Sequence, residues 1–128
     1  MTCEFVIPCR KIERTKDGTV ITGLLHDIGV ERGVLPLKFR LSIMMRFAGK
    51  PGETADCMIH LMGDTAQSLA HTEVPVKIPP DSDFIDISIF IDVSLPKCQR
   101  YTVFLMSPSG PQPMNRTAWF DVREITVH

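Results

Sequence analysis

Apolar and polar residues alternate along this chain from residue 37 onwards, and this pattern limits the possible folds more than any other feature. Every second residue is apolar over 37–47, and isoleucine and valine repeat the pattern over 85–93. A period of two places alternate side chains on opposite faces of a β-strand, so each stretch has one face to bury. No segment shows the 3.6-residue stripe of an amphipathic helix, and the one candidate for a helical turn, 66–70, is short. The pattern predicts an all-β protein.

Turn signals rich in glycine and proline separate the alternating stretches. An Asp-Gly pair at Asp17 and Gly18 predicts a hairpin between 11–14 and 19–25. Later strands are expected over 37–47, 54–62, 84–93, 99–106 and 117–127. About eight short strands at near-regular spacing predict a two-sheet antiparallel β-sandwich, immunoglobulin-like or C2-like in topology. Residues 1–128 suit a single domain of this kind.

Three residues refine this interpretation. Proline cannot donate a hydrogen bond to a sheet, so Pro8 is expected to close the first strand and Pro75 to mark an edge strand or a bulge. Immunoglobulin domains of the antibody type place a tryptophan between two cysteines, whereas Trp119 follows all four cysteines here. The sequence therefore favours a generic sandwich over an antibody-type core.

Charge and composition exclude several classes of partner. Fourteen basic and fifteen acidic residues leave a formal net charge of −1, and no long basic run occurs. Nucleic-acid binding is not expected. No apolar run approaches the ~20 residues that cross a bilayer, and no signal peptide is evident, so we expect a cytoplasmic protein without a membrane partner.

The four cysteines are expected to be free thiols in such a compartment. Cys57 and Cys98 lie in or beside predicted strands and are expected to be small core residues. Cys3 and Cys9 lack the spacing of a zinc site, so neither a metal nor another cofactor is expected.

Catalytic motifs of the common hydrolases, metalloproteases and nucleotide-binding enzymes are absent from the sequence. His26 and Asp27 in a loop, together with His60 on a strand, form the one constellation that suggests a small ligand-binding, metal-binding or hydrolytic site. Isolated strand and loop histidines are more often structural. Asp86 and Asp92 are interpreted as gatekeepers that keep an isoleucine-rich strand from pairing with other chains.

Several apolar residues fall at strand positions that ought to face water. If their strands are neighbours, they form an apolar patch, and contiguous exposed apolar area usually marks an interaction site at which methionine adapts to a partner. The alternative is a second small core, covered by the 24–36 loop or by the N-terminal segment. The residues are Met44, Met58, Met62, Phe90, Phe104 and Met106.

The stretch 17–28, which reads DGTVITGLLHDI, is followed by Leu35-Pro36 and by the alternating strand 39–47. This order resembles a bacterial family of small proteins with a domain of unknown function, in which a similar hairpin leads to a proline and then to a strand. The turn at 49–52, the strand 54–62 and the VPVKIPP segment also resemble that layout. His26 stands where the family tends to have an aromatic residue before the aspartate. The resemblance implies a β-sandwich and supplies no functional residues.

Three hypotheses about function follow. The first is a non-enzymatic module that binds another protein or its own copy, as an oligomer, through the Met/Phe-rich sheet face. The second is the ligand-binding, metal-binding or hydrolytic site at His26, Asp27 and His60. The third is carbohydrate binding, for which a chain with one tryptophan and one tyrosine is poorly supplied.

Overall fold

A computed structural model describes residues 1–65, 67–107 and 116–125. These residues form nine β-strands and no helix. Consequently no helix in the described part of the chain is long and apolar enough to cross a membrane. The strands are β1 (Thr2–Thr15), β2 (Gly18–Leu24), β3 (Asp27–Glu31), β4 (Leu37–Ala48), β5 (Thr54–Met62), β6 (Ser68–Lys77), β7 (Phe84–Leu95), β8 (Arg100–Met106) and β9 (Arg116–Ile125).

The strands form two sheets that pack face to face, which confirms the all-β, two-layer prediction. The four-stranded sheet has the order β2-β1-β4-β7, and the five-stranded sheet has the order β3-β9-β8-β5-β6. All pairs are antiparallel except β3 and β9, which run parallel. There are nine described strands where about eight were predicted, and the prediction of antiparallel sheets was wrong for the larger sheet, which is mixed.

The core lies between the inner faces of the two sheets, by which we mean the faces that point toward each other. Phe47 on β4, Tyr101 on β8 and Phe120 on β9 are its largest fully buried side chains. The rings of Tyr101 and Phe120 stack with their centroids 5.8 Å apart. The Tyr101 hydroxyl donates to the carbonyl oxygen of Lys97 at 2.6 Å, so this buried polar group has a partner.

Pro8 does not close the first strand, contrary to expectation. β1 continues to Thr15, and Pro8 lies opposite Ile43 of β4 in the middle of the paired region. The N and C=O of a strand residue point to the same side, and the Pro8 carbonyl accepts a bond from Leu25 N on the β2 side. The missing N–H therefore faces away from β4, and the β1–β4 pairing continues past Pro8; its one irregularity lies between Cys3 and Phe5.

The predicted Asp-Gly hairpin is present and joins β1 to β2, with Gly18 at a φ of 138°. β1 leaves β4 after Cys9, and Arg14 Nη2 then donates to the carbonyl oxygen of Asp86 on β7, at 3.3 Å. A straight hairpin would run away from Asp86, so this hairpin must double back over the outer face of the four-stranded sheet. Cys9 and Met44 point to this outer face and are buried outside the main core, and we infer that the hairpin covers them.

Three local predictions have mixed outcomes. Pro75 lies on β6, an edge strand, as expected. Cys57 is buried as predicted, but Cys98 is exposed in the loop before β8, so its assignment to the core was wrong. Residues 68–70 belong to β6 rather than to a helical turn, and Ala66 lies outside the described residues.

Candidate interaction surface

Four of the predicted surface residues come together on the outer face of the five-stranded sheet. Met58 on β5 lies directly opposite Met106 on the neighbouring β8. Two residues further along, Phe104 lies opposite His60, and the next outer position of β5 is Met62. We call Met58, Met62, Phe104 and Met106 the Met/Phe face.

Strict alternation along β5 and β8 creates this face. The inward positions of β5 are Cys57, Ile59 and Leu61, and all three are buried in the core. Met58 and Phe104 each fall between two inward positions of their own strands, and Met62 and Met106 each follow the last one, so the pleat turns all four outward. All four residues are half-buried, because their long side chains lie beside one another on adjacent strands.

The other two predicted residues, Met44 and Phe90, do not belong to this surface. β4 and β7 lie in the four-stranded sheet, so both residues are on the opposite side of the molecule. Met44 is only 3% exposed beneath the N-terminal hairpin, whereas Phe90 is 64% exposed. The prediction of one surface of six residues was therefore wrong, and for Met44 the covered arrangement applies.

Two histidines extend the Met/Phe face toward β6. The rings of His60 and His71 lie opposite each other on β5 and β6, with centroids 5.7 Å apart. His60 Nδ1 is 2.9 Å from the hydroxyl oxygen of Ser68, which donates in turn to the carbonyl oxygen of Ala70. This bond fixes the His60 ring beside Phe104, so the surface has an ordered polar group at its centre.

Trp119 borders the face on β9 and was not among the six predicted surface residues. It lies opposite Thr102 of β8 and is 41% exposed. The Arg100 guanidinium carbon is 3.7 Å from its ring centroid, and the His26 ring lies at 5.1 Å. The alternation of Thr117 and Trp119 with the buried Phe120 was the signal that could have placed this tryptophan outside.

The opposite border of the face is acidic. Asp56 and Glu73 lie near Met58, and together with Pro75 they line a shallow, open depression of about 340 Å³. Neither carboxylate forms an ion pair within the described residues. The Met/Phe face therefore has unpaired negative charge on its β5–β6 side.

On the β9 side, by contrast, the Asp121 carboxylate is paired. Arg100 Nε donates to Asp121 at 2.9 Å, and these hydrogen bonds lower the pKa of the Asp121 carboxyl group. Beneath the face, burial raises the pKa of the Cys57 thiol, and it raises that of Cys3 to about 11. The cysteines under this sheet are therefore protonated and poor nucleophiles at neutral pH.

The alternative site at His26, Asp27 and His60 is not assembled. His26 and Asp27 lie beside β9, at the far end of the sheet order from His60 on β5, with β8 in between. The Asp27 carboxylate accepts the Arg123 Nε hydrogen at 2.8 Å. Within 1–65, 67–107 and 116–125, no group of three or more histidine, cysteine or acidic residues is placed to hold a metal. His128 lies outside these residues.

Comparison with models of known protein families and with curated proteins found no match to this chain. The resemblance to a bacterial family of unknown function stays a prediction.

Proposed function

We propose that this protein is a non-enzymatic interaction module that binds another protein through the Met/Phe face. The observation that carries the proposal is the grouping of Met58, Met62, Phe104 and Met106 on the outer side of two adjacent strands. Contiguous apolar area on an outer face costs free energy in water, and covering it with a partner recovers that cost. Three of the four side chains are methionines, which adapt to the shape of a partner.

The borders of the face indicate the chemistry of the partner. The acidic side at Asp56 and Glu73 favours a basic group, while the opposite side offers Trp119 together with paired charges. The partner that fits is an apolar protein surface with a lysine or arginine at one edge. Such complementarity sets orientation and association rate more than affinity.

The two alternative functions have less support. A ligand-binding or hydrolytic site would need His60 near His26 and Asp27, which lie across the sheet from it. A sugar platform would need an open aromatic ring, and the Trp119 ring already contacts Arg100 and His26.

A cytoplasmic location is part of the proposal. Cys3 and Cys57 are both buried in the core, and both are free thiols. Free thiols suit a reducing compartment. For the topology we favour the immunoglobulin-like form over the C2-like form, because the Tyr101 hydroxyl bonds back to Lys97 as in the tyrosine corner of such sandwiches.

Replacing Met62 with lysine is expected to remove partner binding and leave the fold intact. The ammonium group can point into water in the free protein, but it would have to lose water against an apolar partner. We expect capture of the partner from host extract to fall at least about tenfold, while the free energy of unfolding changes by less than about 1 kcal/mol. Quantitative mass spectrometry of the captured proteins and a denaturant titration measure the two effects.

Thr22→Lys is the matched control, because it adds the same charge to an exposed position of β2 in the other sheet. It is expected to capture the same proteins as the parent chain. If Met62→Lys is folded and still captures every protein that the parent captures, the Met/Phe face is not the binding surface.

A further inference from the structure

β7 is a long edge strand with one unpaired side. All twelve of its residues pair with β4 in an unbroken register, and no described strand is hydrogen-bonded to its other side. The Asp83 carbonyl accepts a bond from Gly49 N on the β4 side. Since successive strand residues point their backbone groups in opposite directions, the odd-numbered residues face β4 and the even-numbered ones face outward.

Two side-chain contacts agree with this assignment, because both involve backbone groups of even-numbered residues. Phe84 N donates to the Ser82 hydroxyl oxygen, and that hydroxyl donates to Phe84 O. The Asp86 carbonyl accepts a bond from Arg14 Nη2. Beyond them, the backbone groups of Ser88, Phe90 and Asp92 face outward with no strand to receive them among the described residues. This window is available for pairing.

At this edge the inner face of β7 is apolar, and the outer face carries one exposed aromatic ring between Ser88 and Asp92. Phe90 is 64% exposed on the outer face. On the inner face Ile87, Ile89 and Ile91 pack against the core but are only half-buried. A long, regular edge strand with an apolar inner face and without proline or a bulge is a template for a further strand.

The two aspartates of β7, interpreted from the sequence as gatekeepers, are paired within their own sheet and so oppose further pairing less than free carboxylates would. Arg46 Nε and Nη2 donate to the Asp86 carboxylate at 2.7 and 2.9 Å. Arg40 Nε donates to Asp92 at 3.1 Å. Each negative charge is thus matched by an arginine of β4 in the same sheet, so the edge carries little net charge.

We infer that β7 pairs antiparallel with β7 of a second copy of this chain, with the two-fold axis at Phe90, and that this joins two four-stranded sheets into one. In this register Phe90 lies opposite its own copy and Ser88 lies opposite Asp92. On the inner face Ile89 meets Ile91, and Ile87 meets Val93. Every carboxylate in the window then faces a hydroxyl, and every apolar side chain faces another apolar side chain.

The neighbouring registers are less self-complementary. Moving the axis to Ile89 places Ser88 opposite Phe90, so the exposed ring faces a hydroxyl group instead of its own copy. Moving it to Ile91 places Phe90 opposite Asp92. The register centred on Phe90 is therefore the one in which a second copy fits, and it uses a surface separate from the Met/Phe face.

The test is sedimentation velocity over a concentration series, with the whole chain under reducing conditions. The parent is expected to show a monomer–dimer equilibrium. Ser88→Pro removes an outward N–H but no bond to β4, and Ser88→Asp places two carboxylates opposite each other. Each is expected to raise the dimer dissociation constant at least about tenfold, whereas Ser88→Lys, which faces Asp92, is expected to keep the dimer.

A cysteine pair tests the register directly. In a background of Cys98→Ser, which removes the exposed thiol, Phe90→Cys is expected to form a covalent dimer on mild oxidation, because the two Cα atoms lie about 5.5 Å apart in such a pair. Phe84→Cys in the same background is the control and is expected to stay monomeric.

A parent chain that stays monomeric at high concentration, or a dimer that persists unchanged in folded Ser88→Pro and Ser88→Asp, would overturn the inference. Met62→Lys separates it from the proposed function, since this variant is expected to lose the partner and keep the dimer. Loss of the dimer in Met62→Lys would assign self-association to the Met/Phe face and so contradict pairing through β7.

Discussion

Replacing Ile59 with lysine is expected to unfold the protein. Ile59 is fully buried at the centre of β5, between the two sheets. A lysine there would bury an ammonium group with no partner, at a cost of several kcal/mol. That cost is comparable to the whole stability of a typical domain, about 5–15 kcal/mol. Far-UV circular dichroism and a thermal melt of the purified variant would measure the loss.

The adjacent residue provides the matched control, because Met58 is the next residue on the same strand and points to the other face. Met58→Lys introduces the same side chain and is expected to melt within a few degrees of the parent. If Met58→Lys instead unfolds like Ile59→Lys, the Met/Phe face is a second core rather than a surface.

Replacing Phe47 with alanine is expected to lower the free energy of unfolding by about 3–5 kcal/mol. Phe47 is fully buried on β4, where it lies opposite Cys3 on one side and Ile85 on the other. Removing the ring leaves a cavity that three paired strands cannot close without breaking their register. Denaturant titration with the slope held in common between variants would give the difference.

Phe84→Ala makes the same change at an exposed position of β7, because Phe84 is 44% exposed to water. There the ring lies 4.9 Å from the Arg46 guanidinium, and its loss is expected to cost about 1 kcal/mol or less. Equal costs at the two positions would contradict the assignment of Phe47 to the core.

Alternation along single strands was enough to predict the local part of the surface. The pattern around Met58 and Phe104 fixes which side chains point outward, since an inward neighbour such as Ile59 or Val103 leaves no other orientation. The all-β class and the Asp-Gly hairpin follow from equally local signals. These are the parts of the fold that the structure confirms.

Strand order is not encoded in that alternation. The wrong prediction of a single surface of six residues follows from this lack of information. Met44 has the same alternation as Met58, but β4 and β5 belong to different sheets. Its burial depends on the N-terminal hairpin, which reaches Asp86 through Arg14, a contact between residues 72 positions apart. A pairing over such a distance is decided by tertiary packing and not by any local signal.

The ion pairs of the β7 aspartates could not be predicted for the same reason. Asp86 and Asp92 appeared as free charges in the sequence, whereas the β4–β7 register brings Arg46 and Arg40 directly opposite them. Pro8 was expected to end its strand and does not, because the effect of a proline on a strand depends on which neighbouring strand its missing N–H would have faced.

Methyl NMR of the methionines tests most directly whether the Met/Phe face binds the partner. The chain has seven methionines, and carbon-13 labelling of their methyl groups gives separate probes of the face, the core and the hairpin cover. On addition of the captured partner, the signals of Met58, Met62 and Met106 are expected to shift or broaden. Those of Met44 and Met45, both buried, are expected to stay unchanged. Binding that leaves all three face methionines unperturbed would contradict the proposal.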